Sequence, residues 1–203
     1  MISIITGDIV NSRKKKSIIW IDNFKKLLHT FGKSPLDWEI FRGDEFQIEI
    51  KNPEDVFYVA LQIKAYFRSI NLDVRMSIGL GDKDYKSKKI SESNGTAFAR
   101  SGEVFETLKK QKINLAVNSG IIDFDLEINL VLRLCLTFMD NWLVQSAEFV
   151  QVAIINQKLS QEEIGTILGI NQAAVSRRRK RANFDLLLET DKLFRLKVRN
   201  LNV

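Results

Sequence analysis

Apolar and polar residues follow two different periods in the first 120 residues of the chain. Alternating or short apolar runs predict five strands, at 2–6, 38–41, 46–50, 73–79 and 113–117. Apolar residues three or four positions apart predict helices at 17–31, at 95–110 and after Asn52-Pro53. The first six elements, β-α-β-β-α-β, match the split β-α-β or ferredoxin-like plan, in which helices cover one face of an antiparallel sheet. The expected fold class is therefore α+β.

The pattern changes to helices only from about residue 125 onward. Two strongly apolar helices are expected at 126–138 and 142–155, and two shorter helices follow at 161–180. We place a domain boundary here, between an α+β domain at 1–122 and an all-helical domain at 123–203.

Residues 160–182 have the pattern of a helix-turn-helix. Ser160 and Glu163 form a capping box that starts the first helix, Gly169 ends it, and Asn171 can cap the second. The second helix presents small, amide and basic side chains, which suit base edges in the major groove and phosphates. We expect DNA contacts from Gln172, Ala173, Ser176, Arg177, Arg179 and Lys180. An ordinary helical hairpin with a basic second helix is the alternative.

Basic charge is concentrated in the last quarter of the chain. Residues 158–203 contain 10 Lys and Arg against 5 Asp and Glu, whereas the whole chain has a net charge of +6. This asymmetry favours an anionic partner for the C-terminal region, although a solvated basic tail would give the same total. Arg178 stands where such motifs often place an apolar residue, which predicts loose packing or rotation of the second helix.

The composition argues against several other classes of protein. A single Cys135 cannot close an internal disulfide, and one His and one Cys leave no zinc site. Arg133 and Asp140 interrupt the longest apolar stretch, so we expect no membrane span. The first residues read as a strand and not as a signal peptide, and the expected location is the cytoplasm.

Two acidic residues are expected to meet at one edge of the sheet. Asp8 ends the first predicted strand and Asp44 begins the third, and in the split β-α-β order these ends adjoin. Paired carboxylates are the usual protein contribution to a Mg²⁺ site completed by triphosphate oxygens and water. Asn11, Ser12 and the basic run that starts at Arg13 could add N–H groups and positive charge for phosphates. The alternative is a strand-end Asp, a hairpin-tip Asp and a solvated loop.

Several segments resemble known families. Residues 7–12, Gly-Asp-Ile-Val-Asn-Ser, resemble the first metal motif of class III nucleotidyl cyclases. Residues 42–46, Arg-Gly-Asp-Glu-Phe, resemble their hairpin and the Gly-Gly-Asp-Glu-Phe motif of diguanylate cyclases, and residues 74–81 are similar to the later Arg-x-x-Ile-Gly-x-Gly strand. Across the chain, residues 6–13, residues 92–98 and the C-terminal motif resemble the SatD-like bacterial family.

The resemblance implies a nucleotidyl-cyclase-like domain with specific site residues. Asp8 and Asp44 would bind Mg²⁺ or Mn²⁺ with help from the Ile9 carbonyl. The phosphates of ATP or GTP would lie against a set of residues that comprises Asn11, Ser12, Arg13 and Gly43. Asn94 and Arg100 are further candidates, because residues 95–100 distantly resemble the helix that bears the transition-state residues of adenylyl cyclases. A helix N-cap and a surface arginine are the alternatives for these two.

The sequence is consistent with three functions. The first is a DNA-binding regulator whose cyclase-like domain binds a nucleoside triphosphate with Mg²⁺ and modulates the helix-turn-helix. The second is an active nucleotidyl cyclase or nucleotidyltransferase, in which a ribose 3′-hydroxyl attacks the α-phosphate of ATP or GTP. The third is a DNA-binding protein whose N-terminal half only dimerises. A homodimer is expected because helix-turn-helix proteins commonly read two half-sites. The sequence does not fix which surface pairs, and the apolar helix at 126–138 is the favoured candidate.

Overall fold

The computed structural model describes residues 1–14, 20–41 and 43–201, which form five strands and eight α-helices. The strands are β1 (Ile2–Val10), β2 (Trp38–Phe41), β3 (Glu45–Ile50), β4 (Asp73–Gly81) and β5 (Leu115–Asn118). The helices are α1 (Ile21–His29), α2 (Val56–Ser69), α3 (Thr96–Gln111), α4 (Ile122–Met139), α5 (Val144–Ile155), α6 (Gln161–Leu168), α7 (Gln172–Arg181) and α8 (Phe184–Asn200). The expected α+β class and all five expected strands are confirmed.

The five strands form one mixed sheet in the order β2-β3-β1-β4-β5. β1 runs antiparallel to both β3 and β4, so the end of β1 adjoins the start of β3 as expected. β5 pairs with β4 in parallel, which departs from the purely antiparallel sheet that the pattern predicted. A parallel partner is possible here because α3 forms a crossover connection between β4 and β5.

Helices cover both faces of the sheet, whereas the sequence pattern predicted one. Ile4 and Ile5 are both fully buried although neighbouring residues of a strand point to opposite faces. Ile5 lies in the large core with α1 and α2, and Ile4 packs with Ala97 of α3 on the other face. A Cβ atom on Gly79 would lie 2.1 Å from the Ala97 carbonyl oxygen, so glycine in β4 allows α3 to approach closely.

The helical second half packs directly on the sheet half and shares its core. Eleven of the fourteen residues of α2 are buried, because this helix lies between the sheet and α5. The Tyr58 hydroxyl of α2 donates to the Ile154 carbonyl of α5 at 3.3 Å, and the Gln151 amide donates to the Ala65 carbonyl at 3.1 Å. The predicted boundary at 122 coincides with the start of α4, but one apolar cluster extends across it.

Helix α8 is the main element that the sequence reading missed. Its buried face contains Phe184, Leu187, Phe194 and Val198, whose spacing is helical and could have revealed it. Among the described residues, no helix combines the length and apolar character that crossing a bilayer requires.

Candidate functional sites

Asp8 and Asp44 lie in one pocket at the end of β1. In the strand register, Asp8 lies opposite Glu45 of β3 and Arg75 of β4. The backbone N–H of Ile9 donates to the Asp44 carbonyl at 3.0 Å. The pocket has a volume of about 320 Å³ and is lined by Asp8, Ile9, Val10, Asn11, Ser12, Arg13, Asp44, Arg75 and Lys109. The structure thus brings together six of the residues that the sequence assigned to metal and phosphates.

The Asp8 carboxylate has only a partial set of partners. Its Oδ2 atom lies 3.3 Å from Nη1 of Arg75, while its Oδ1 atom is buried and has no hydrogen-bond partner among the described residues. Burial raises the pKa of Asp8 above its ordinary value. The Arg75 guanidinium opposes this shift, and the negative charges of Asp44 and Glu45 add to it. A cation or a proton is therefore favoured at this position.

The oxygen atoms of this pocket suit a hard divalent cation. Asp44 accepts a hydrogen bond from the Ser12 hydroxyl at 2.7 Å, which fixes its Oδ2 atom at the pocket wall. The buried Asp8 Oδ1 atom would be a ligand of such a cation, because Mg²⁺ prefers oxygen ligands such as carboxylates. No group of three or more His, Cys, Asp and Glu among the described residues could hold a metal, so phosphate and water oxygens would have to complete the shell.

Two basic residues of the pocket were not assigned a role from the sequence. Arg75 alternates with the inward-facing Val74 and Met76 of β4, so its outward direction could have been read from the period of two. Lys109 reaches the pocket from α3, and its place in the pocket follows only from the packing of that helix on the sheet.

Asn94 and Arg100 lie away from this pocket within the chain. Arg100 donates to the Leu80 carbonyl at 2.6 Å, and Leu80 pairs with Ser3 at the opposite end of β1. Ser3 lies five positions from Asp8 along β1, a distance of roughly 17 Å. Asn94 accepts from the Gly95 N–H at 2.7 Å, but the N-cap residue of α3 is Gly95 and no side chain caps it, so Asn94 is not the N-cap of this helix. Asn94 and Arg100 therefore do not line the Asp8 pocket of their own chain.

The hairpin and the basic loop are only partly described. Gly43 has a φ of +85° at the exposed tip between β2 and β3, where glycine is favoured. Three residues of the predicted basic loop and hairpin lie outside the described residues, namely Lys15, Lys16 and Arg42.

Helices α6 and α7 with their connecting turn, here called the α6–α7 unit, form with the capping that the sequence predicted. Ser160 accepts from the Glu163 N–H at 3.2 Å, and the Glu163 carboxylate accepts from the Ser160 N–H at 2.7 Å. Gly169 adopts a left-handed conformation with a φ of +64°, and Asn171 caps α7 by accepting from the Ala174 N–H at 2.9 Å. A Cβ atom on Gly165 would lie 2.6 Å from the Ile170 carbonyl oxygen, so the turn folds back closely on α6.

The α6–α7 unit leaves one face of α7 open to solvent. Val175 is fully buried and points toward the core, as predicted. Five of the six proposed DNA-contacting residues are exposed, namely Gln172, Ala173, Ser176, Arg177 and Lys180. The Gln172 amide donates to the Gln161 side chain at 2.9 Å, an exposed contact that water or a base edge could replace.

Two arginines of α7 bind carboxylates of neighbouring helices. Arg178 lies 3.1 Å from the Glu148 carboxylate of α5, so an ion pair occupies the position where an apolar contact was expected. Arg179 binds both oxygens of Asp185 at 3.1 and 3.2 Å through its Nε atom and lies over the Phe184 ring. Arg179 is therefore directed toward α8, and not toward the face that Arg177 and Lys180 share.

The described fold is an α+β protein in which a mixed sheet and a helical C-terminal half share one core. The chain belongs to the SatD family, whose family model matches residues 1–195. No curated protein and no solved structure matches the chain. Membership in this family does not by itself assign a reaction.

Proposed function

We propose that this protein is a cytoplasmic DNA-binding regulator that responds to a nucleoside triphosphate. The observation that supports it best is the exposed N-terminal part of α7, where Gln172 and Ala173 precede the basic residues Arg177 and Lys180. In a helix-turn-helix, the N-terminal residues of the second helix approach base edges, and basic residues contact phosphates. The turn between α6 and α7, with its left-handed Gly169 and the close approach at Gly165, is of the kind that joins the two helices of this motif.

The ligand-binding part of the proposal is the pocket around Asp8 and Asp44. We assign strands β1–β4 to a ferredoxin-like, cyclase-like unit, in which these carboxylates and the Ile9 carbonyl hold Mg²⁺ (or Mn²⁺). Asn11, Ser12 and Arg13 would contact the phosphates of ATP or GTP, and Lys109 and Arg75 would balance their charge. The metal, when bound, neutralises phosphate charge and orients the triphosphate.

Communication between the two sites would use the shared core. The pocket lies at the end of β1, the sheet packs on α2, and α2 packs on α5. The ion pair between Glu148 and Arg178 then joins α5 to α7. Packed elements of this kind can transmit a shift from one site to the other, provided that each site favours a different arrangement.

The experiment begins with selection of binding sites from random duplexes. Affinity for the selected duplex is then measured with and without ATP or GTP and Mg²⁺. We expect nucleotide to change the affinity of the unmodified protein. Asp8→Ala and Asp44→Ala should keep DNA binding and lose the nucleotide effect, whereas Asp22→Ala, which removes an exposed carboxylate of α1, should behave normally.

Two results would contradict the proposal separately. Absence of DNA binding at about 50 mM salt, with and without nucleotide, would overturn the DNA-binding function, because phosphate contacts are strongest at low salt. Unchanged nucleotide affinity in both Asp8→Ala and Asp44→Ala would overturn the pocket. Incubation with labelled ATP or GTP and Mg²⁺ or Mn²⁺ tests the enzyme alternative.

A further inference from the structure

Helix α4 has an apolar stripe that no described residue covers. Ile122, Leu126, Leu130 and Leu134 follow one another at intervals of four, so they lie on one side of the helix. Their exposed fractions are 76, 68, 52 and 59 %. The opposite side of α4, with Ile128 and Leu132, is buried in the core. Single exposed leucines are ordinary, but four in a row mark a contact surface.

The stripe continues into a groove beside the sheet. Ile122 and Leu126 also line a cavity of about 390 Å³ between α4 and α3, together with Val104 and Ile113. The outer edge of β5 is already occupied next to this groove. The Asn129 amide donates to the Val117 carbonyl and accepts from the Val117 N–H, both at 2.8 Å. A partner therefore meets helix side chains here, and strand addition at Val117 is blocked.

Charges beside the stripe are complementary to each other. At 3.6 residues per turn, Glu127 is rotated by about 60° to one side of Leu130 and Arg133 by about 60° to the other. Both are exposed, and Arg133 has no ion-pair partner among the described residues. One side of the stripe is thus acidic and the other basic on the same helix.

We propose that α4 forms the contact of a homodimer, with the two stripes lying along each other. Residues four apart form ridges inclined to the helix axis, and two helices packed through such ridges cross at about 50°. A two-fold axis along the stripe places Leu130 beside Leu130 of a second copy. It also brings the acidic side of each stripe to the basic side of the other. Glu127 of each copy then faces Arg133 of the other copy, which gives two equivalent ion pairs. An axis across the stripe would instead bring like charges together.

The dimer goes beyond the proposed function and holds without DNA. Sedimentation equilibrium of the full chain should give the mass of a dimer. Leu130→Glu places two carboxylates on the two-fold axis and should give a monomer. Ile167→Glu is the matched control, because Ile167 of α6 is 55 % exposed and lies outside the stripe, so this variant should remain a dimer. Circular dichroism and the melting temperature establish that each variant is folded.

Charge reversal tests the direction of the two-fold axis. Glu127→Arg and Arg133→Glu should each weaken their own dimer by up to about tenfold at low salt, because each makes two attractive pairs repulsive. A mixture of the two variants should form a heterodimer, in which both pairs are attractive again. Glu127 also forms an ion pair with Lys197 in its own chain, so Glu127→Arg alters that pair as well. Arg133→Glu changes no ion pair of the described residues within its own chain and tests the interface more directly.

Three outcomes would overturn the proposal. These are a monomeric unmodified protein at every concentration tested, a Leu130→Glu variant that remains a dimer, and charge-reversed variants that associate no better when mixed than alone. If Leu130→Glu fails to fold, the surface charge variants decide the question by themselves.

Discussion

The surroundings of Asp8 favour the neutral form of its carboxyl group. Burial raises the pKa of its carboxyl group, and the carboxylates of Asp44 and Glu45 raise it further against the opposing effect of Arg75. Among the described residues nothing binds the buried Oδ1 atom of Asp8, and a buried carboxylate oxygen without a partner is costly unless something occupies the site. Such local conflicts are more common at functional sites than elsewhere, which supports a ligand for this pocket.

The pH dependence of stability should reveal this conflict. Between the ordinary pKa of an aspartate and the raised pKa of Asp8, the folded protein binds more protons than the unfolded chain, so stability falls as pH rises. Asp8→Asn removes this loss and should raise the melting temperature at pH 7. The advantage should shrink as the pH falls through the raised pKa. A decrease in melting temperature that is largest near pH 7 and disappears at low pH would instead show that the Arg75 ion pair dominates.

At the scale of elements, capping and turn chemistry explain why the C-terminal helices were predictable. The capping box at Ser160, the left-handed Gly169 and the Asn171 cap are local features whose residues are adjacent in sequence. The same locality explains why all five strands were predicted, although β1 extends to Val10, four residues beyond its predicted end. The placement of α3 on the second face of the sheet depends on absent side chains at Gly79 and Gly81, which periodicity does not report.

Long-range partners were beyond what the sequence could show. Arg179 was expected to contact DNA but binds Asp185, because α8 turns back on α7 immediately after it. In the candidate nucleotide site, the closeness of Asp8 and Asp44 could be predicted from the order of the strands. Lys109 could not be foreseen, because it approaches from α3, whose position on the second face of the sheet the pattern did not predict.

The turn between α6 and α7 should not tolerate a side chain at Gly165. In Gly165→Ala, the new methyl group would lie 2.6 Å from a backbone oxygen, and relieving that contact should cost about 1–3 kcal/mol of unfolding free energy. Gly102→Ala is the control, since no atom lies within 4 Å of a Cβ there. Replacing glycine inside α3 should stabilise the protein by about 0.5–1 kcal/mol. Urea unfolding measures both, and equal effects would contradict the close packing of the turn.

Residues along α7 should differ in how they contribute to DNA binding. Arg177→Ala and Lys180→Ala should weaken binding to all sequences and flatten the log–log salt dependence by about 0.9 for each lost phosphate contact. Gln172→Ala should cost about 1–3 kcal/mol at one base position and leave the salt slope unchanged. Arg179→Ala should change the salt slope least among the basic residues, because Asp185 already neutralises it. Affinities at several salt concentrations measure this, and identical behaviour of all four variants would refute the assignment.

For the whole molecule, the central feature is that the two halves of the chain share one apolar core. The buried ammonium group of Lys64 in α2 links them further. It lies 2.6 Å from Asp73 of β4 and also binds Asp140, which follows α4. Asn114 donates to the other oxygen of Asp140 at 3.1 Å. Removing one member of such a buried cluster leaves a charge unpaired, so sheet and helices depend on each other.

This interdependence predicts that the chain unfolds as one cooperative unit. Separate domains at 1–122 and 123–203 could unfold in two steps, but here separation would expose α2, which is buried on nearly all sides. Hydrogen exchange measured by mass spectrometry at increasing denaturant should give the same opening free energy for the slowest peptides of β1, β4 and α5. The fragment 1–122 expressed alone should fail to give a cooperative transition. If α5 opens at lower denaturant than the sheet, or if the fragment folds, the halves are separate domains and the route proposed from the Asp8 pocket to α7 loses its physical basis.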